Sequence, residues 1–330
     1  MKKVFGMVIL LLLLCILATW KTPSFVSSGN LQNLSRQIAL LSIFAIGEGI
    51  IILSGGIDLS VGSVLAFVGV IIVMLTNSCG WNPYLASILA LIFCGVLGLA
   101  HGVMVCRLKL QPFVVTLCTM MLFRGLGRWL TQDSPAGFDN PTKYSGFRSL
   151  GEGLIFGIPT PVIILIGIVI TSAFLLHFTK YGRYWYAIGR NEKAVAYSGV
   201  NVSAMKTWSY VVCALLTGVA GILYTGYSPS IQASSAGSGY ELYAIAAAVL
   251  GGCSMRAGEG TIIGIVVGAS ILKALINIIN LVNIPTYLEL SVIGCVILAG
   301  VIADAMYKQR AAKGEKSVVP KDKRKSLQRV

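Results

Sequence analysis

Charge is what this chain has least of. Only 12% of its 330 residues are Asp, Glu, Lys or Arg, about half the share with which a soluble domain coats its surface. Acids are scarcer still, 12 Asp+Glu against 26 Lys+Arg. There are two histidines, His101 and His177, far apart and without a ligand-spaced partner, and they read as packing or interface residues. No two of the eight cysteines stand in a C-x-x-C spacing. Most fall inside apolar runs, where a thiol packs as a small hydrophobe, so neither a disulfide framework nor a metal site is expected. No G-x-x-x-x-G-K-[ST] occurs, and the chain has no phosphate-binding loop of its own. H-E-x-x-H and G-x-S-x-G are missing too, and the loops are too short for a catalytic domain. A water-soluble globule and an enzyme are thereby excluded.

What the chain has instead is apolar length: 56% hydrophobic residues and a mean hydropathy of +0.82. About twenty apolar residues cross a hydrocarbon core of about 30 Å. Ten runs approach that length: 4–20, 38–53, 61–76, 84–105, 112–130, 161–178, 208–227, 242–253, 262–281 and 287–306. The pattern predicts an all-α, polytopic membrane protein, with a transmembrane domain over 1–306 and a basic tail over 307–330. The first run follows Met1-Lys2-Lys3 as a secretory signal would. The stretch Leu17-Ala18-Thr19-Trp20-Lys21 has no small-residue cleavage site, so the run reads as an uncleaved first helix. Runs 38–53 and 242–253 are short and lead into Gly55-Gly56 and Gly251-Gly252. Spans of that kind read as broken or tilted helices lining a cavity.

The net charge of +14 reports topology. With a cytoplasmic N-terminus and ten spans, nineteen Lys and Arg fall on the inner side, nine of them in the tail, against Lys21, Arg36, Lys143 and Arg148 outside. The positive-inside rule then places both termini in the cytoplasm. Apolar spans offer no basic groove to a phosphate backbone, which excludes nucleic acid as a partner. The tail reads as a solvated segment drawn to anionic membrane lipid. The outer stretch 131–160, with Pro135, Pro141 and Pro159, is expected to be irregular.

Three inner segments carry the chemistry. In the first, 54–63, glycines Gly55, Gly56 and Gly62 allow a tight turn. Asp58 and Ser60 can cap the helix that follows. A capped turn and a contact point for a cytoplasmic partner both fit. The second, 251–258, repeats the G-G-x5-G spacing with Gly251, Gly252 and Gly258, a hint of an internal repeat. The third is the inner loop 180–206. Asn191 is suited to an N-cap, Glu192 to a first turn and Gly199 to a stop, which predicts a short helix over 192–198. That helix either lies along the membrane, anchored by Tyr184 and Trp185, or is a knob that a partner grips. Within the spans, Glu48, Arg124, Arg128 and Lys273 must face the bundle or a wet pathway, because facing lipid costs several kcal/mol each. Arg124 and Arg128 share one helix face. Glu241, Glu289 and Asp304 lie near span ends. Internal pairing, such as Glu48 with a cation, and a polar route for a solute both fit.

Four ordered stretches, ILSGGIDLSVGSVLAF (52–67), QPFVVTLCTMMLFRGLG (111–127), YGRYWYAIGRNEKAVAYSGVNV (181–202) and GYELYAIAAAVLGGCSMRAGEGTIIGIVVGASI (239–271), resemble the permease subunits of ribose-type monosaccharide ABC importers. The resemblance runs from about Asn30 to Asp304. It implies a multi-pass cell (inner) membrane protein that pairs with a second permease, identical or a close paralogue. An ATPase with two fused cassettes would dock below, and a periplasmic or extracellular sugar-binding protein would deliver solute from above. No cofactor is implied for the chain itself, since the ATP is hydrolysed by the partner. The segment around Gly189, Asn191, Glu192 and Gly199 is similar to the family's ATPase-coupling loop, and 55–63 and 251–260 to its other cytoplasmic signatures. Glu48, Lys273 and Arg256-Ala257-Gly258 depart from the family pattern. Related permeases carry other pentoses, galactose, rhamnose, inositol, a furanose-type autoinducer, nucleosides or branched-chain amino acids. A secondary transporter working without an ATPase would instead use Glu48, Glu289 and Asp304 as ion sites.

The topology makes a direct prediction. An epitope tag after Asn191 is expected to be labelled only in permeabilised cells. Labelling in intact spheroplasts would overturn the assigned sidedness.

Overall fold

The structure is a computed structural model that describes residues 2–254, 258–285, 288, 290–295, 298 and 302. The chain divides into two compact units, Met1–Asn283 and Ile284–Val330. In the second, residues 290–295 are helical. Most of the expected span 287–306, together with Glu289, Asp304, Arg256-Ala257 and the tail, lies outside the described residues.

The first unit is built from helices α1 (Lys2–Lys21), α2 (Ser28–Leu53), α3 (Val61–Cys79), α4 (Pro83–Cys106), α5 (Pro112–Thr131), α6 (Ser145–Glu152), α7 (Thr160–Phe178), α8 (Lys180–Tyr197), α9 (Val202–Tyr227), α10 (Tyr240–Leu250) and α11 (Ile262–Leu281), with a small hairpin of β1 (Leu154–Ile155) and β2 (Ile158–Pro159). Among the described residues, eight helices are long and apolar enough to cross a membrane. Local chemistry sets their starts. Pro83 and Pro112 open α4 and α5, where a missing N–H costs nothing. Asn82, Asn201 and Thr261 cap α4, α9 and α11 by accepting the N–H groups of Tyr84, Ala204 and Gly264.

Helix α2 is the axis of the bundle. Every residue from Ala39 to Leu53 is buried, as expected of a helix that is apolar all round. It begins ten residues before the apolar run at 38–53. Its first turns are polar and find partners inside the protein. Asn30 and Asn277 exchange side-chain hydrogen bonds of 3.0 and 2.8 Å. Asn33 accepts the Tyr227 hydroxyl, and Arg36 donates to the Glu152 carbonyl.

Helix α4 meets α9 along a seam of small side chains. Ala86, Ala90, Cys94, Gly98 and Gly102 recur every four residues and are all buried. A Cβ at Gly98 would lie 2.7 Å from the Val211 Cα, and one at Gly102 would lie 2.6 Å from the Thr207 Cα. With no hydrophobic drive between helices in lipid, such backbone approach supplies the packing energy.

Helix α10 corrects the expected eighth span. Its 11 residues rise only about 16 Å. The missing length is non-helical chain over 228–239, which runs alongside α3: a Cβ at Gly69 would touch Ile231, and one at Gly62 would strike the Gly237 carbonyl. The stretch 131–160 also departs from the expectation that it is irregular. It carries α6 and the hairpin because Gly151 seats its backbone on Gly226 and Tyr227, and Phe147 packs its ring against Tyr84 and Phe138.

The seam predicts a sign change between neighbouring glycines. Gly102→Ala is expected to destabilise the bundle by about 1–3 kcal/mol, since backbone must shift. Gly95→Ala, which meets only a Leu215 methyl at 3.6 Å, is expected to be neutral or to stabilise by up to about 1 kcal/mol through helix propensity. Unfolding titrations in detergent check both.

Candidate functional site

At one end of the bundle the three glycine-bearing segments come together. Helix α2 stops at Ser54, and Gly55 turns the chain with φ +82°, a left-handed conformation open to glycine. Gly189 on α8 lies so close to the Leu53 carbonyl that no side chain fits, and a Cβ there would sit 2.8 Å from the Gly258 Cα. Gly258 in turn abuts the Tyr186 carbonyl and the Arg190 N–H. The Tyr186 hydroxyl donates to the Gly260 carbonyl at 2.8 Å. The last turn of α2, the helix α8 and the 251–260 turn thus form one backbone-to-backbone junction. Gly251 closes it from the side by packing on Gly264 and Ile265, and Gly252 turns with φ +90°.

Helix α8 is two helices joined at Asn191, whose φ of −157° and ψ of 92° break the run. Asn191 Oδ1 accepts the Ala194 N–H at 3.0 Å, which caps the short second helix. The chain leaves that helix through Gly199 at φ +83°. Glu192 pairs with Lys206 Nζ at 2.7 Å and ties the knob to the start of α9. All of Asn191–Gly199 is exposed except Val195, and Tyr197 is 91% exposed. Trp185 is not the interfacial anchor suggested by its sequence. It is buried, and its Nε1–H donates to the Met205 carbonyl at 2.8 Å.

The turn after α2 folds back into the bundle. The expected cap on α3 is not made: Ser60 offers no side-chain cap hydrogen bond, and Asp58, 1% exposed, turns into the bundle. Its Oδ1 accepts the Ser60 N–H at 2.8 Å and the Ser60 hydroxyl at 2.6 Å. The Asp58 N–H donates to Glu48 Oε1 at 3.2 Å. Gly62, at the start of α3, presses on Gly237 and the Glu241 carboxylate.

The four intramembrane candidates do not gather in one place. Glu48 sits with Asp58. Arg124 is bound to the non-helical 228–239 chain, donating to the Ala233 and Ala236 carbonyls at 2.8 and 2.6 Å. Arg128, on the same helix, is more than half exposed and forks onto Asp133, whose carboxyl those hydrogen bonds hold below the usual carboxylate range. Lys273 is buried with its ammonium 5.2 Å from the Tyr240 ring and 5.9 Å from the Tyr243 ring. Sequence reasoning missed His101, Ser209 and Tyr210 as parts of the turn. Ser209 Oγ lies 3.0 Å from Ser54 Oγ, and Tyr210 Oη reaches the Ile57 carbonyl at 3.5 Å. The only sequence signal was a polar run, Thr207-Trp208-Ser209-Tyr210, at the mouth of an apolar span. Among the described residues, no three His, Cys, Asp or Glu side chains converge as metal ligands.

Comparison with known proteins places this arrangement. Residues 30–301 match the family model described as branched-chain amino acid transport system / permease component. The chain is 40% identical over 302 residues to the ribose import permease protein RbsC of Escherichia coli strain K12, covering 91% of this chain and 92% of the relative. It is 41% identical over 295 residues to RbsC of Bacillus subtilis strain 168, covering 89% and 90%. To the L-arabinose transport system permease protein AraH of Escherichia coli strain K12 it is 34% identical over 310 residues, covering 93% and 92%. No solved structure matches it. With its apolar helices and this likeness along nearly its whole length, the chain is a multi-pass protein of the cell membrane, the inner one where there are two, and belongs to the permease subunits of ribose-type monosaccharide ABC importers.

Proposed function

We propose that this chain forms half of the membrane pathway of an ATP-driven importer for ribose or a related monosaccharide. The relatives named for ribose and L-arabinose support a sugar as the solute. A binding protein outside the membrane supplies the solute and most of the specificity. A partner ATPase, read as two fused cassettes, supplies the free energy, and a second permease copy completes the pathway. This chain binds no cofactor of its own in that scheme.

The junction of Leu53, Gly189 and Gly258 is the observation that carries the coupling. A push on the exposed helix after Asn191 is met by backbone rather than by compliant side chains. It therefore moves the end of α2, the buried axis, together with the turn leading to α11. Gly189, Asn191, Glu192 and Gly199 form and orient the knob. Gly55, Gly56, Gly251, Gly252 and Gly258 shape the surfaces it leans on, and Asp58, Ser60 and Gly62 hold the turn into α3. Rigid transmission of this kind suits alternating access, in which two packed arrangements exchange rather than deform continuously.

The coupling is tested in vesicles holding the permease, the ATPase and the binding protein. Gly199→Val strains a left-handed position, at a cost of about 1–3 kcal/mol. It is expected to leave ATP hydrolysis running while labelled-ribose uptake falls by about tenfold. Unchanged uptake overturns the coupling role. Uptake that persists without the ATPase overturns the importer reading itself.

A further inference from the structure

At the end of the bundle opposite the junction, the hairpin between α6 and α7 leaves apolar side chains bare. Its strands pair Leu154 with Pro159 and Ile155 with Ile158. The Thr160 N–H closes it on the Gly153 carbonyl at 3.0 Å. The pleat puts Pro159 on a buried face, where β2 packs against α2 and α7. Ile155 and Ile158 share the other face, with Phe156 at the tip. Leu154, Ile155 and Ile158 are each nearly half exposed, and Phe156 is 102% exposed. No charged side chain interrupts residues 153–159.

The turn is built against local preference. Phe156 has φ +52° and Gly157 has φ +80°. Two left-handed residues in a row suit a tight hairpin, and Asn-Gly is the pair that adopts them most readily. A bulky side chain strains the first of the two positions. Phenylalanine stands there all the same, with its ring fully open. Within the chain no burial offsets that strain, so the offset comes from outside it.

Position identifies the source. Helix α7 starts at Thr160, the residue after the hairpin, and has 19 residues. They rise about 28 Å, close to the thickness of a hydrocarbon core. The hairpin therefore sits at the edge of the bilayer. The exposed residues of α7 next to it, Ile163, Ile166, Ile170 and Phe174, are apolar as well and continue its bare face along the span. Exposed Trp20 and Trp129 close α1 and α5 at this same end, as side chains that hold helices at a membrane interface do. Helix α7 has neither Trp nor Tyr. A soluble partner that comes and goes would leave four apolar side chains in water between visits, whereas a bilayer is always there. We propose that residues 154–158 dip into lipid at the boundary between headgroups and acyl chains, anchoring there the end of α7 and, through Pro159, that of α2. The anchor goes beyond the transport reading and does not depend on it.

Two experiments test it. In the first, p-benzoylphenylalanine replaces Phe156 in the assembled importer, held in vesicles of phosphatidylethanolamine and phosphatidylglycerol. The ring is fully open, so the fold has no packing there to lose. On illumination a phospholipid adduct is expected on the peptide bearing residue 156, as at Ile170 in the middle of α7, and none at Tyr197 on the exposed knob. Crosslinks to a second permease or to the binding protein overturn the proposal, and so does an unmodified peptide when Ile170 is lipid-labelled. The second experiment sets the anchor against turn preference. Asparagine suits the left-handed position better than phenylalanine, so on that ground alone Phe156→Asn would slow amide hydrogen exchange at 154–158. With the anchor lost, exchange there is expected to rise about fivefold in lipid nanodiscs. Slower or unchanged exchange overturns the anchoring.

Discussion

In a hydrocarbon slab every backbone N–H and C=O must find its partner inside the protein, and the architecture of this chain follows from that demand. Most of the backbone meets it by being helical. Two of the irregular stretches, the 54–60 turn and the 228–239 chain, pack part of their length against the helices, Gly56 against Tyr210 and Ile231 against Gly69. The scarce charges of the sequence are spent there. Arg124 serves two carbonyls of the 228–239 chain, and Glu48 and Asp58 serve N–H groups of the turn. A side chain that looks costly from its position in an apolar run is cheaper than the open backbone it closes. The 228–239 chain also touches the first turn of α3, at Gly237 and Gly62. Each α-helix that these two stretches precede, α3 and α10, starts within the bundle.

Where the determinant is local, it is legible in the sequence. The Asn191 cap and the Gly199 stop depend on a handful of neighbouring dihedrals, and both are found where the residue types point. The apolar helices follow from length and hydropathy. What escapes is whatever depends on a distant partner. The polar start of α2 is invisible to hydropathy because Asn30, Asn33 and Arg36 are satisfied by Asn277, Tyr227 and Glu152, far along the chain. Trp185 reads as an anchor until the Met205 carbonyl is seen above it. A histidine in an apolar run, His101, gives no sign of the aspartate it faces, Asp58.

The junction of Leu53, Gly189 and Gly258 joins segments that the sequence presents as three separate motifs. Their glycines serve different ends. Some turn the chain, as Gly55, Gly199 and Gly252 do with positive φ. Others, Gly189 and Gly251 among them, simply leave room for another backbone. Composition alone cannot distinguish these, since both are written with the same letter. Helix α1 stands apart from this economy. It precedes the residues matched by the family model, and only 6% of its apolar window is buried. Ala18 and Cys15 nonetheless pack with Phe25, Leu34 and Ile278, which hold it to the bundle.

The seam between α4 and α9 has a consequence at the level of the gene. Gly98 and Gly102 already carry the smallest side chain there is, and what faces them is main chain. Any missense change in their codons adds atoms where none can be received, so these positions have no gentle route of drift. Substitution is expected to be tolerated instead on the exposed flank of the same helix, where Leu85, Ile88, Ile92 and Val96 meet no packed backbone and one oily residue serves as well as another.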